Sequence, residues 1–193
     1  MPRRKNRFTT GHYYHIYNRG ANRERIFFSK DNYLYLLKLL KKFQVKYDIA
    51  IIAYCLMPNH YHFLLRQDGE TEISQFIGVL FNAYAQALNN QIERTGALFE
   101  GRFKDVHVDN DAYLLHLCRY IHANPVKAGM VTALEEWPYS NYLEWVEERP
   151  GKLVDLDFVN DFFPNRHAYK EFVLEYLHGI DELPPDIKQY LFE

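Results

Sequence analysis

The chain predicts an α+β fold, and three observations predict it. Four short stretches read as strands, two long ones repeat every 3.6 residues, and the two kinds interleave as strand-helix-strand-strand-helix-strand. Residues 12–18 alternate as the first strand. Asp31 to Tyr47 carries Tyr33, Leu36, Leu37, Leu40 and Phe43 at helical spacing. Ile49 to Leu56 and His60 to Arg66 form two strands joined by a turn at Met57-Pro58-Asn59. Ser74 to Asn90 presents Ile77, Leu80, Tyr84 and Leu88 on one helix face, and a loop punctuated by Gly96 and Gly101 leads into a strand over Phe103 to Val108. This is the order of the ferredoxin-like split βαβ unit with a central antiparallel sheet. That arrangement hosts many activities and assigns none by itself.

A further periodic segment follows. Leu114, Leu117, Cys118 and Ile121 keep the i, i+3, i+4, i+7 spacing of an amphipathic helix, with Asp109 or Asn110 as its N-cap. Tyr113, Tyr120 and Asn124 run along the flank of that stripe. Tyr120 and Asn124 stand about one turn apart, so a phenol and an amide oxygen reach the same point in space. Pro125 opens a second reading, because it disfavours helical geometry at the residue before it. Asn124 then caps a short turn over residues 125–128, closed by Gly129. In the strand over residues 60–66, His60 and His62 project to one face while Tyr61 and Phe63 point to the other. Two imidazoles side by side can hold a divalent metal; the plainer alternative is two half-buried polar residues on one face of a strand.

The chain of 193 residues suits one sizeable core with an appendage. Its net charge of −2 conceals a division. Residues 1–134 hold 18 Lys+Arg against 11 Asp+Glu, a balance of +7, and residues 135–193 hold 5 against 14, a balance of −9. The body can meet phosphate and the acidic remainder cannot, which points to a nucleic-acid-binding body. Lys38, Lys41, Lys42 and Lys46 read as a solvated helix face. Arg3, Arg4, Lys5 and Arg7 on an N-terminal arm, and Arg19, Arg23 and Arg25 in a Gly/Asn-containing loop, are better placed to follow a phosphate backbone. Arg102 and Lys104 make a second such segment, in which Phe103 is either a DNA contact or the first core residue of its strand. Cys55 and Cys118 give no disulfide framework and no zinc spacing, and read as core residues in a reducing compartment. No apolar run follows the basic start and no stretch approaches a membrane span, so a cytoplasmic protein is expected.

Three units follow from these patterns: a basic arm over residues 1–11, a domain over 12–146, and an acidic, helical C-terminal extension over 147–193. The extension opens on the linker Glu148-Arg149-Pro150-Gly151-Lys152. Its helix, His167 to His178, carries Tyr169, Phe172, Val173, Tyr176 and Leu177 on one face, and a last short helix follows Leu183-Pro184-Pro185. Capping the sheet, dimerising and mimicking nucleic acid are three roles open to it.

His60-Tyr61-His62 resembles the His-hydrophobe-His signature of HUH nucleases. Tyr120-Ile121-His122-Ala123-Asn124-Pro125-Val126-Lys127-Ala128-Gly129 resembles the tyrosine helix of the single-tyrosine transposases of bacterial insertion sequences. Three more segments agree in order and spacing: Tyr14-His15-Ile16-Tyr17-Asn18-Arg19-Gly20, Gly96-Ala97-Leu98-Phe99-Glu100-Gly101-Arg102-Phe103-Lys104 and Trp137-Pro138-Tyr139-Ser140-Asn141. The resemblance is closest to the REP-associated tyrosine transposases and covers residues 12–142.

The resemblance implies that the two histidines lie on a central antiparallel strand with the tyrosine helix beside it. It implies Tyr120 as nucleophile, Mg2+ or Mn2+ held by His60, His62 and Asn124, and single-stranded DNA next to a hairpin as substrate. The implied product is a covalent 5′-phosphotyrosine with a free 3′-hydroxyl. The ligands alone lean toward manganese or zinc, since imidazole is a borderline donor and magnesium prefers oxygen. Some relatives are homodimers whose partner supplies the tyrosine helix and others act as monomers, so both states stand. Among sixteen tyrosines, Tyr61 faces away from the histidine side and Tyr113 lies ~16 Å of helix from Asn124, which leaves Tyr120. His15 either approaches the metal from the adjacent strand or is a half-buried structural residue. His12, His107, His116, His122, His167 and His178 carry no spacing argument. Two rivals remain: a hairpin-binding protein without cleavage, and a structural α+β domain whose histidines and tyrosine are incidental.

Overall fold

The six elements expected over residues 12–108 form in order: β1 (Tyr13–Arg19), α1 (Lys30–Tyr47), β2 (Ile49–Met57), β3 (His60–Gln67), α2 (Ile73–Gln91) and β4 (Lys104–Val108). The structure is a computed structural model that describes residues 8–179. Arg3, Arg4, Lys5 and Arg7, and the helix expected after Leu183-Pro184-Pro185, lie outside the described residues. The sheet runs β2-β3-β1-β4, antiparallel at every pairing, so the fold is ferredoxin-like with β3 and β1 at its centre.

Each face of the sheet has its own core. Tyr14, Ile16, Tyr61, Phe63 and Leu65 meet α1 and α2, where Leu36, Leu40, Phe76, Leu80 and Tyr84 complete the first core. Ala53, Cys55, Met57, Leu64 and Val108 meet α3 (Asp111–Lys127) through Leu114, Leu117, Cys118 and Ile121. The tyrosine helix thus lies across the second face, opposite the pair α1 and α2. Burial on both faces explains why β2 reads Ile-Ala-Ile-Ile-Ala-Tyr-Cys-Leu-Met with no polar alternation.

Asn110 is the N-cap of α3, its side chain accepting from the Tyr113 N–H at 2.8 Å. Pro125 does not end the helix: it lacks an N–H for the Ile121 carbonyl, and the helix runs on to Lys127. Asn124 is therefore an interior helical residue and not the cap of a following turn. Gly129, at φ +65°, closes α3. Its N–H donates to the Val126 carbonyl at 2.9 Å and the Met130 N–H to the Pro125 carbonyl at 3.0 Å, the pairing that a left-handed residue after a helix allows.

A register shift between Ile51 and Ala53 leaves Ile52 as a bulge in β2. The Ile52 carbonyl accepts from Asn141 Nδ2 at 2.9 Å and Trp145 Nε1 at 3.0 Å. The Leu56 N–H donates to the Tyr139 carbonyl at 2.9 Å, and Cys55 bridges to Ser140. Residues 139–141 thereby cover the outer edge of β2, which would otherwise present unpaired backbone groups. After α4 (Tyr142–Trp145), α5 (Leu156–Phe162) and α6 (Arg166–Leu177) join the second core through Phe158, Val159, Tyr169, Val173 and Tyr176. The Arg119 guanidinium lies 4.4 Å from the Phe172 ring centroid, and Lys127 Nζ lies 4.3 Å from that of Tyr176. Over its described part, the C-terminal extension caps the tyrosine helix. Both cysteines are free and buried, as their apolar surroundings in the sequence predict.

Candidate active site

The β1–β3 register sets the floor of the site. Tyr17 stands opposite His62 and Arg19 opposite His60, so these four side chains share the face that α3 covers. Tyr61 points the other way and stacks on Phe81 at 4.2 Å. From α3 above, Tyr120 sets its ring edge-on to His62, centroids 5.4 Å apart at 84°. One turn further along, Asn124 Nδ2 donates to the Tyr120 carbonyl at 3.5 Å, and the Asn124 side chain reaches the His60 ring. His60 and His62 lie 5.2 Å apart, ring edge to ring face. Tyr120, Asn124, His60 and His62 therefore converge on one point between helix and sheet. Tyr113, one of the alternatives to Tyr120, sits at the N-cap turn of the same helix.

Both imidazoles are held from behind. His60 Nδ1–H donates to Asn59 Oδ1 at 2.7 Å, and Asn59 Nδ2 donates to the Arg23 carbonyl at 3.3 Å, which fixes the amide and with it the His60 tautomer. His62 Nδ1 lies 3.0 Å from His15 Nε2. Burial is the main cause that keeps these rings neutral. It pushes His60 down to about 4, against the opposing effect of its bond to Asn124, and His15 down to about 3. Burial, then the neighbouring His15 and His60, hold His62 well below the ordinary imidazole value. A neutral imidazole offers a lone pair, which is the form a metal binds. A donor set of two neutral imidazole nitrogens and an amide oxygen, each imidazole held by a second partner, fits a divalent cation. Among the described residues no group of three or more His, Cys, Asp or Glu is placed to hold a metal, so a set built on these two imidazoles would take its third donor from Asn124.

The rim carries charge. The Arg19 guanidinium pairs with Glu100, with Nη2 to Oε1 at 3.2 Å, and the hydrogen bond from Arg19 holds the Glu100 carboxyl below its ordinary value. The loop over residues 98–101 is pinned along the end of β1. The Ala21 N–H donates to the Leu98 carbonyl at 3.0 Å, the Glu100 N–H to the Arg19 carbonyl at 2.9 Å, and Asn18 Nδ2 to the Gly101 carbonyl at 3.2 Å. This pinning brings Arg102 and Lys104 to the rim, with Lys104 Nζ 5.9 Å from the Tyr17 ring centroid. The chain doubles back at Gly20, where a Cβ would come 2.1 Å from the Glu24 carbonyl oxygen, so only glycine fits. Arg23 and Arg25 are exposed on that turn.

Residues 8–124 match the family described as Transposase IS200 like. The chain belongs to this family. A Haemophilus influenzae protein whose name places it among the REP-associated tyrosine transposases is 27% identical over 106 residues, which are 50% of this chain and 60% of that protein. The chain thus spans about 60% of the length of that relative. A solved structure of a REP-associated tyrosine transposase bound to a REP hairpin superposes with a TM-score of 0.65 at 20% identity, covering 80% of this chain and 94% of that one. Among the described residues no helix is long and apolar enough to cross a membrane.

In this member of the IS200-like transposase family, His60, His62, Tyr120 and Asn124 are brought together; Arg19 and Lys104 lie beside them, and Arg23, Arg25 and Arg102 are exposed on the neighbouring turns. Three features were not read from the sequence. Asn59 orients His60 from the turn that precedes its strand, and Glu100, inside the segment 96–104, neutralises Arg19. The third is a fully buried network around His122. Its Nε2–H donates to Asn141 Oδ1 at 2.8 Å, and its Nδ1 accepts from the Tyr169 hydroxyl.

Proposed function

We propose that this chain is a metal-dependent transposase that cleaves and joins single-stranded DNA beside hairpins through a covalent 5′-phosphotyrosine on Tyr120. The observation that carries the reading is the convergence of Tyr120, His60, His62 and Asn124 on one point, in a chain of the IS200-like transposase family. His60, His62 and Asn124 would hold Mg2+ or Mn2+. When bound, that cation supplies Lewis-acid polarisation of a non-bridging phosphate oxygen.

The rest is the work of the protein's own groups. A phenol has a pKa near ~10, so Tyr120 loses its proton as it attacks. The bond formed joins Tyr120 Oη to phosphorus and the bond broken is phosphorus to O3′, with a proton ending on the departing 3′-hydroxyl. The phosphotyrosine keeps the phosphodiester energy, so a 3′-hydroxyl reverses the step without ATP. Arg102 and Lys104 at the rim follow the DNA backbone, and Arg23 and Arg25 extend that track. The hairpin held by the structural relative supports the choice of substrate. The seating of Tyr120 against histidines of its own chain supports action in cis, without a partner's tyrosine helix.

The test incubates the protein and Tyr120→Phe with hairpin-tailed single-stranded DNA from the gene's own flanks, with Mn2+ or Mg2+, on a denaturing protein gel. A DNA–protein adduct that needs metal and disappears in the variant is expected. Tight hairpin binding with no adduct would replace this reading by that of a binding protein.

A further inference from the structure

Building on the metal reading above, we infer that His15 is a positioning residue of the site: it holds the His62 ring by its Nδ1–H and so turns His62 Nε2 toward the cation. On β1, Tyr17 is the residue opposite His62, and His15 is the diagonal neighbour on the same face. His15 Nε2 and His62 Nδ1 are 3.0 Å apart, and the two rings lie nearly parallel, at 18° with centroids 5.2 Å apart. Both residues are fully buried. Tyr17 walls the pair, stacking on His15 at 4.8 Å and on His62 at 5.9 Å.

The chemistry of His15 has no other outlet in the described structure. Its Nδ1 has no hydrogen-bond partner among the described residues, so its one polar contact is with His62. A buried imidazole left half-satisfied is a poor core residue beside an apolar side chain of similar volume. A single proton lies between the two facing nitrogens, which allows two arrangements. If His15 donates, His62 carries its own proton on Nε2, where a cation would bind. If His62 donates, Nε2 keeps its lone pair and the proton of His15 sits on Nδ1. No other group fixes the His15 tautomer, so His15 can accept from His62 whenever the cation requires it. His60 is served in the same way by Asn59. Each ligating imidazole thus has its remote nitrogen held by one partner, as metal-binding histidines generally do.

Mn2+ is titrated, without DNA, into the full chain, His15→Phe and His15→Gln, with a thermal melt of each. We expect His15→Phe to weaken Mn2+ binding about 10- to 100-fold. His15→Gln, whose Oε1 accepts the same N–H, should return most of that loss. Equal binding by His15→Phe and the unmodified protein overturns the assignment of His15 while leaving the metal reading intact. Failure of the unmodified protein to bind Mn2+ removes the metal reading itself, and His15 with it. Should His15→Phe not melt cooperatively, the tautomer decides: in 15N-labelled unmodified protein with saturating Mg2+, His62 is expected to carry its proton on Nδ1. A proton on Nε2 overturns the proposal.

Discussion

Two groups of histidines lie one helix apart, and burial, full or partial, pushes the rings of both groups down. His122, at about 4, sits under α6 with both nitrogens engaged, and its partner Asn141 is saturated as well. Asn141 Oδ1 accepts from the Tyr54 N–H at 2.8 Å, and Nδ2 donates to the Ile52 and Leu153 carbonyls at 2.9 and 3.0 Å. That network closes on itself and ties α3 to β2 and α6. At His60 and His62 the remote nitrogens are held from behind, and the other sides of the rings face Tyr120 and Asn124. Burial and a lowered pKa therefore do not mark a site in this molecule. The direction of the second nitrogen does.

The sharpest way to break this comparison is to remove one ring from the open group. His60→Ala should lower metal-dependent adduct formation on the order of a thousandfold, the scale of losing a group that stabilises charge at the reacting centre. The melting temperature should change little, since His60 is only half-buried. Adduct yield within tenfold of the unmodified protein would put the two histidine groups in one class. Asn141→Ala is the counterpart in the closed group. It leaves the His122 and Tyr54 donors and the Leu153 carbonyl without this partner in the interior, while the Ile52 carbonyl keeps Trp145, and should lower unfolding stability by about 3 kcal/mol in a urea titration. The fraction still folded should form adduct at the normal rate. A stability loss below about 1 kcal/mol would show that water replaces these bonds.

The difference between the groups also explains what could be read from sequence. His60 and His62 are two residues apart in a strand, and Tyr120 and Asn124 four apart in a helix, so the period of each element announces which side chains share a face. Pro125 takes from α3 only the hydrogen bond to the Ile121 carbonyl, and the helix runs on for two more residues to Lys127. His15 meets His62 through a diagonal that exists only once β1 pairs with β3 in a given register. His122 meets Asn141 and Tyr169 across 19 and 47 residues. It does so by way of a bulge at Ile52 that no local pattern signals. Arg119, a residue type seldom buried, is fully enclosed against Phe172 and Tyr176 by α6, which local pattern does not signal.

Acid should expose both groups together. The rings of His15, His60, His62 and His122 are neutral when folded, while an unfolded histidine takes up its proton near ~6.5. Below that value the unfolded chain binds more protons than the folded one. Stability is thus complete above pH ~6.5 and declines as pH falls toward the folded values, by about 2 kcal/mol per imidazole between pH 6.5 and 5. Urea titrations across that range measure the slope. His122→Gln, assessed relative to its own stability at pH 7, should lose one histidine's share of it. An unchanged slope in that variant would mean that His122 is already protonated in the folded protein.

The smallest expected effect lies at the rim, where a half-buried Arg19 is paired with an exposed Glu100. A solvated pair of this kind contributes little to folding, so its role is sought in DNA binding. Arg19 stands opposite His60 on β1, beside the point at which the proposed reaction would seat a phosphate. Glu100 cancels that charge and also holds a carboxylate where the DNA backbone would pass. Glu100→Gln should leave the melting temperature unchanged. It should tighten hairpin-tailed DNA a few-fold at low salt and steepen the slope of log affinity against log salt by about one, the signature of one more phosphate contact. Fluorescence anisotropy over a salt series reads both quantities. An unchanged slope would mean that Arg19 keeps to the protein side of the interface and serves to hold the Glu100 loop, and with it Arg102 and Lys104, against the end of β1.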